Sequence, residues 1–220
     1  MEIASTSEKE RRHLYKFALE LAAFTIVYNI VEGLVSAYFG YEDNSLALFG
    51  FGMDSFIEVI SGLGIAHMII RIGRQPDSNR DAFERTALRI TGFSFYALVA
   101  GLVVTGIYNI LTGHKPETTF WGIIISIISI VVMWILVLVK LKIGRQLGSE
   151  AILADAECTR VCIYMSVILL ISSGIYALTN IAWIDSIGSL ALSYFAFNEG
   201  KECFEKAKSN KLCGCGHDCE

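Results

Sequence analysis

Long apolar stretches recur along the whole chain, separated by short polar connectors. About 20 apolar residues in a helix are what crossing the hydrocarbon core of a bilayer requires. Six candidates run over residues 14–40, 45–72, 88–113, 120–139, 149–179 and 181–197. The connectors carry turn chemistry: GYEDN between the first two spans, RQPDSNRD between the second and third, GHKPETT between the third and fourth. Charged residues make up 18% of the chain, against the ~25% usual for soluble domains. The fold expected is therefore all-α: a polytopic, six-helix transmembrane bundle over residues 14–200, with a short N-terminus (1–13) and a Cys-rich tail (201–220). The charged opening MEIASTSEKERRHLYK has no apolar core followed by a small-residue cleavage site, so no cleaved signal peptide is expected.

Lys and Arg stay on the cytoplasmic side of a membrane. Lys9, Arg11, Arg12 and Lys16 precede span one; Arg71, Arg74, Arg80, Arg85 and Arg89 surround the second connector. Lys140, Lys142 and Arg145 follow span four, and Lys201, Lys206, Lys208 and Lys211 follow span six. The connectors on the other side hold only Lys115. This bias places both termini in the cytoplasm, in what is expected to be a bacterial inner membrane. The weak point is the tight turn near Asn180, where span five could end differently. No basic stripe or aromatic stacking surface stands apart from the membrane loops, so nucleic acid is not an expected partner; the lipid bilayer and metal ions are. Small residues such as Gly92, Gly101 and Gly106 in span three would let helices approach closely, or are ordinary membrane glycines.

Charge at mid-bilayer is costly, and where it occurs it usually serves function. Span two reads SLALFGFGMDSFIEVISG, in which Asp54 and Glu58 are four residues apart and share one helix face. Asp54 lies nine residues after Ser45, about 14 Å into a core of about 30 Å. Two carboxylates there repel unless one holds a proton or a cation sits between them. That is the physics of a cation site that exchanges metal for protons; the bland alternative is a protonated or helix-paired structural couple. Glu32, toward the outer end of span one, is a weaker candidate: it either serves function or only hydrogen-bonds a neighbouring helix. Asp185 at the start of span six reads as an ordinary interfacial acid. His67 is 13 residues past Asp54 and roughly 220° around the helix, so it is read as structural.

Span five reads SEAILADAECTRVCIYMSVILL, with Cys158 and Cys162 also four apart. Their Cβ atoms would be ~5–6 Å apart, where a disulfide wants ~3.8 Å. Two sulfurs at that spacing can instead close on one ion at ~2.3 Å each. Counted from Ser149, Cys158 is nine residues in, mirroring Asp54, which would bring the two pairs together at one depth. Asp155, Glu157 and Arg160 argue otherwise, since the purely apolar run starts only at Val161 and would leave the thiols nearer the cytoplasmic rim. Buried Cys also serves simply as a small packing residue.

On these segments the chain resembles the cation diffusion facilitator family, whose members are six-helix metal/proton antiporters. SLALFGFGMDSFIEVISG is similar to the family's acid-x-x-x-acid segment, and ADAECTRVCIYMS to a segment in which Ala-Asp-Ala precedes a His-x-x-x-Asp pair, with Ser four residues on. NIVEGLVSAYFGYEDNSLAL and IDSIGSLALSYFAFNEG also look like the family, so the likeness covers roughly residues 14–200. By position it implies four metal ligands, Asp54, Glu58, Cys158 and Cys162, and efflux from the cytoplasm coupled to proton entry. Both ligands of span five are Cys here and the second acid of span two is Glu. The family's usual C-terminal cytoplasmic domain has no counterpart in the roughly 20 residues after span six, which leaves open whether a homodimer forms through the transmembrane helices. Thiolates favour softer ions, so zinc and cadmium lead, lead, mercury and cuprous copper are credible, and magnesium and manganese recede.

The chain ends CGCGHDCE, so that Cys213, Cys215, His217 and Cys219 offer up to four soft ligands, with Cys203 nearby, at a spacing too short for a zinc finger. On the cytoplasmic side these thiols stay reduced, which favours metal capture over disulfides; incidental thiols on a disordered tail are the alternative. The reading is a secondary transporter rather than an enzyme, with the transported ion as cargo, protons as coupling ion and no further cofactor. The alternatives are a membrane-bound metal sensor or accessory protein and, with poor disulfide geometry against it, a thiol oxidoreductase.

Overall fold

The computed structural model describes residues 8–74, 82–113, 120–181 and 183–208. They form six helices: α1 (Glu8–Glu42), α2 (Leu46–Arg74), α3 (Ala82–Thr112), α4 (Phe120–Leu147), α5 (Glu150–Thr179) and α6 (Trp183–Lys208). Short connections make sequential helices run in opposite directions, although α3 packs against α2 and α6 and α4 against α5 and α1. One end of the bundle, here the termini end, therefore holds the start of α1 and the end of α6. The expected ligands of the tail, Cys213, Cys215, His217 and Cys219, lie outside the described residues, as do Arg80, Lys115 and Lys211.

The helices stop where the backbone turns left-handed. Asn44 (φ 53°) separates α1 from α2, Gly113 (φ 70°) follows α3, and Gly148 (φ 59°) separates α4 from α5. Asn180 (φ 52°) ends α5, its N–H donating to the Tyr176 carbonyl at 2.8 Å. Asn and Gly are the residues that tolerate this conformation, so span five ends where the Asn180 turn suggested. Beyond the apolar runs the helices continue into polar sequence, α4 to Leu147 and α6 to Lys208. The extra turns of α6, about three past Phe197, bury Cys203, Lys206 and Ala207, and residues expected in the tail belong to this helix.

Five of the six helices are long and apolar enough to span a membrane; α6 falls short on hydropathy. The reason is its inward face, where Asp185, Ser186, Ser189 and Ser193 are all buried. α2 and α5 form the centre: 44% of the apolar window of each is buried, against 28% for α1 and α3. α2 packs against α1, α3, α5 and α6, and α5 packs also against α4 and α6. The outer surface is apolar, with Leu111, Val104 and Leu178 exposed, as expected of side chains that meet lipid. The α1–α2 contact is tight because it is made on glycine: a Cβ on Gly52 would stand 2.6 Å from the Ala37 backbone nitrogen.

Asp185 departs from the sequence expectation. It is 3% exposed, accepts the Ser45 hydroxyl at 2.6 Å and the Leu46 N–H at 2.8 Å, and so caps the first turn of α2 from another helix. An interfacial acid would face water; this one faces donors that the start of α2 cannot satisfy internally.

Candidate metal-ion site

α2 and α5 meet at a cavity of about 80 Å³ whose lining includes Asp54, Glu58, Cys158 and Cys162, with Asn29 of α1 and Glu199 of α6. All four side chains expected from the sequence therefore reach one chamber rather than lipid. Asp54 is 2% exposed, and its Oδ1 has no hydrogen-bond partner among the described residues. Glu58 is held on both sides: Oε2 accepts from Asn29 Nδ2 at 2.9 Å and Oε1 accepts from the Cys162 thiol. Cys162 and Cys203 are free thiols.

The contact between Glu58 and Cys162 sets the register of the two antiparallel helices. With these two residues level, Asp54 lies one turn toward the far end and Cys158 one turn toward the termini end, about 12 Å apart along the axis at ~1.5 Å per residue. The donors form a ladder rather than a square. Correspondingly, no group of three or more His, Cys, Asp or Glu side chains among the described residues is gathered closely enough to hold an ion. Counting residues from the ends of the spans had put Asp54 and Cys158 level. Helix ends do not share a plane, and the polar first turns of α5 carry Cys158 toward the termini end, as the polar residues around it suggested.

Those polar turns are paired inside the protein. Lys140 of α4, 1% exposed, meets Asp155 Oδ2 at 2.9 Å and donates to the Thr159 hydroxyl at 2.9 Å. Glu157 and Arg160, half-exposed, pair at 2.6 Å. Glu32 is buried on the α1 side, accepting from Tyr28 at 2.9 Å and from Ser55 of α2 at 3.1 Å. The expected bond to a neighbouring helix is thus present. His67 is not part of the cavity lining.

Sequence reading missed the contribution of α6. Glu199, Cys203 and Lys206 all line the cavity, at spacings of four and three that put them on one helix face. That spacing was the available signal, hidden because the apolar run ends at Phe197 and the following residues looked like tail. Lys206 Nζ lies 3.8 Å from Cys158 Sγ and 3.0 Å from Glu202 Oε1.

An all-α bundle of membrane-length helices with buried carboxylates and thiols around one chamber defines the class: a polytopic integral membrane protein. Residues 21–209 match the model of the cation efflux transmembrane domain, and the chain belongs to that family. It is also 27% identical over 153 residues to an uncharacterized transporter of Methanocaldococcus jannaschii, an alignment covering 67% of this chain and 53% of that protein. The chain thus spans about half the length of this relative.

Proposed function

We propose that the protein is a secondary transporter that moves soft divalent metal ions, zinc or cadmium, out of the cytoplasm in exchange for protons. The cation-efflux family supports transport of a metal cation; the ion, the direction and the coupling are our reading. The observation that carries it is Asp54: a buried carboxylate with an oxygen that has no hydrogen-bond partner among the described residues, set in a membrane helix beside a cavity that also holds a second carboxylate and two thiols. Such a group is expensive to bury alone. It is tolerable when a proton or a metal ion neutralises it, and alternation between those two states is antiport.

The ladder suits this task. Glu58 and Cys162 occupy the middle, Asp54 can join them from the far end and Cys158 from the termini end. A shift of α5 along α2 by part of a turn would draw all four onto one ion, and the opposite shift would release it, which is a form of alternating access. Thiols and carboxylates bind metal deprotonated, so loading releases protons. The lysines and arginines flanking the termini end favour a cytoplasmic location for that end. The Cys-rich tail, on the same side, would gather ions near the mouth.

Proteoliposomes that enclose a metal-sensitive dye and carry an imposed proton gradient test this. Cadmium and zinc uptake should follow the gradient and collapse with a protonophore; binding without any flux would instead identify a sensor. In the same assay Cys158→His should weaken cadmium, lead and mercury relative to zinc, because imidazole is harder than thiolate. An unchanged metal ranking would remove Cys158 from selectivity.

A further inference from the structure

We propose that Lys206 is a built-in counter-ion of the transport site, a tethered ammonium that stands beside Cys158 when no metal is bound and must leave when the ion arrives. The inference rests on the transport-site reading above and adds to it a residue of α6, outside the two helices that carry the donors.

Lys206 is 8% exposed, lines the cavity with Cys158, Cys203 and Glu199, and places its Nζ 3.8 Å from the Cys158 sulfur. Buried lysine in a membrane bundle is rare and faces the protein interior for a reason. Another partner, Glu202, is 29% exposed and one turn away on the same helix. The ammonium is at the same time turned inward toward a cavity-lining sulfur.

An ion bound to Cys158 at ~2.3 Å would lie within about 6 Å of that ammonium. In a buried cavity little solvent screens the two charges. The ammonium points an N–H at the Cys158 sulfur; an ion bound there takes the same lone pairs and sets two positive charges beside the ammonium. Metal and Lys206 compete for the same place. Lys206 lies in the last turn of α6, from which a lysine stem can swing its charge toward the aqueous end of the bundle. Glu202, already 3.0 Å away and 29% exposed, holds it as it swings. When the ion has gone, the ammonium returns to the Cys158 sulfur, and the empty site crosses its conformational cycle with that donor occupied. Lys206 thus weakens metal binding and assists turnover.

The test uses the full chain with Cys213, Cys215 and Cys219 replaced by serine, so that the tail does not report. Cadmium affinity is measured by competition with a chromophoric chelator, and cadmium flux in proteoliposomes. Lys206→Met keeps the length of the side chain and removes its charge; it should bind cadmium at least tenfold more tightly, with lower KM and a turnover reduced fivefold or more. Lys206→Arg should stay within threefold of the parent in both, and Lys206→Gln repeats the neutral case should the Met variant fail to fold. Unchanged or weaker cadmium binding in folded neutral variants overturns the proposal. Asp54→Asn, run alongside, separates the two levels. Lost binding there with unchanged affinity in Lys206→Met sinks the counter-ion alone, whereas full binding in Asp54→Asn sinks the site on which both rest.

Discussion

Asp54→Asn is expected to weaken zinc and cadmium binding by at least about 100-fold and to abolish flux, without lowering the stability of the metal-free protein. Disturbing partners one shell out from a metal typically costs 10–100-fold, and loss of a charged ligand should cost no less. The stability arm separates the functional reading from a structural one. Among the described residues Asp54 makes no hydrogen bond through Oδ1, and its helix lies at the centre of the bundle. Removing a buried, incompletely partnered carboxylate should be neutral or stabilising. A residue kept for packing or helix pairing would do the opposite, and the substituted bundle would unfold earlier. Chelator competition gives the affinity, and thermal unfolding in detergent with chelator present gives the stability.

Lys140→Met should be the most destabilising single change near the site. Lys140 is 1% exposed and joins α4 to α5 through Asp155 and Thr159. Taking away one partner of a buried pair leaves the other uncompensated, at a cost of about 3–5 kcal/mol. Replacing both with apolar residues of similar volume is often close to neutral. The double variant Lys140→Met/Asp155→Leu should therefore recover most of the lost stability in a detergent-denaturation series. If the single variant is as stable as the parent, the pair does not hold α4 against α5. If the double variant is no better than the single one, Lys140 contributes by something other than compensating Asp155.

The helices and the two pairs of side chains that line the cavity were legible in the sequence because both depend on local pattern. Apolar runs of membrane length declare spans, and the four-residue spacings of Asp54/Glu58 and Cys158/Cys162 declare shared faces whatever surrounds them. What was not legible depends on how helices sit against one another. The level of Cys158 relative to Asp54 is set by the Glu58–Cys162 contact, and no count along either helix contains it. Asp185 looked interfacial because its partners, Ser45 and the first turn of α2, are about 140 positions away in the chain. Lys206 and Cys203 looked like tail because hydropathy falls after Phe197, although a helix does not stop where it becomes polar. α6 shows the general difficulty: its buried face mixes serine, acid and lysine with small and apolar residues, so hydropathy understates how deeply it is packed.

Zinc-edge X-ray absorption on the zinc-loaded full chain, with the tail cysteines replaced by serine and His217 by alanine, tests the central claim most directly. The account predicts one ion held by two sulfurs at ~2.3 Å and two oxygens at ~2.0–2.2 Å, with Cys158→Ser and Cys162→Ser each removing one sulfur. A shell of oxygen and nitrogen alone, unchanged by either substitution, would contradict it.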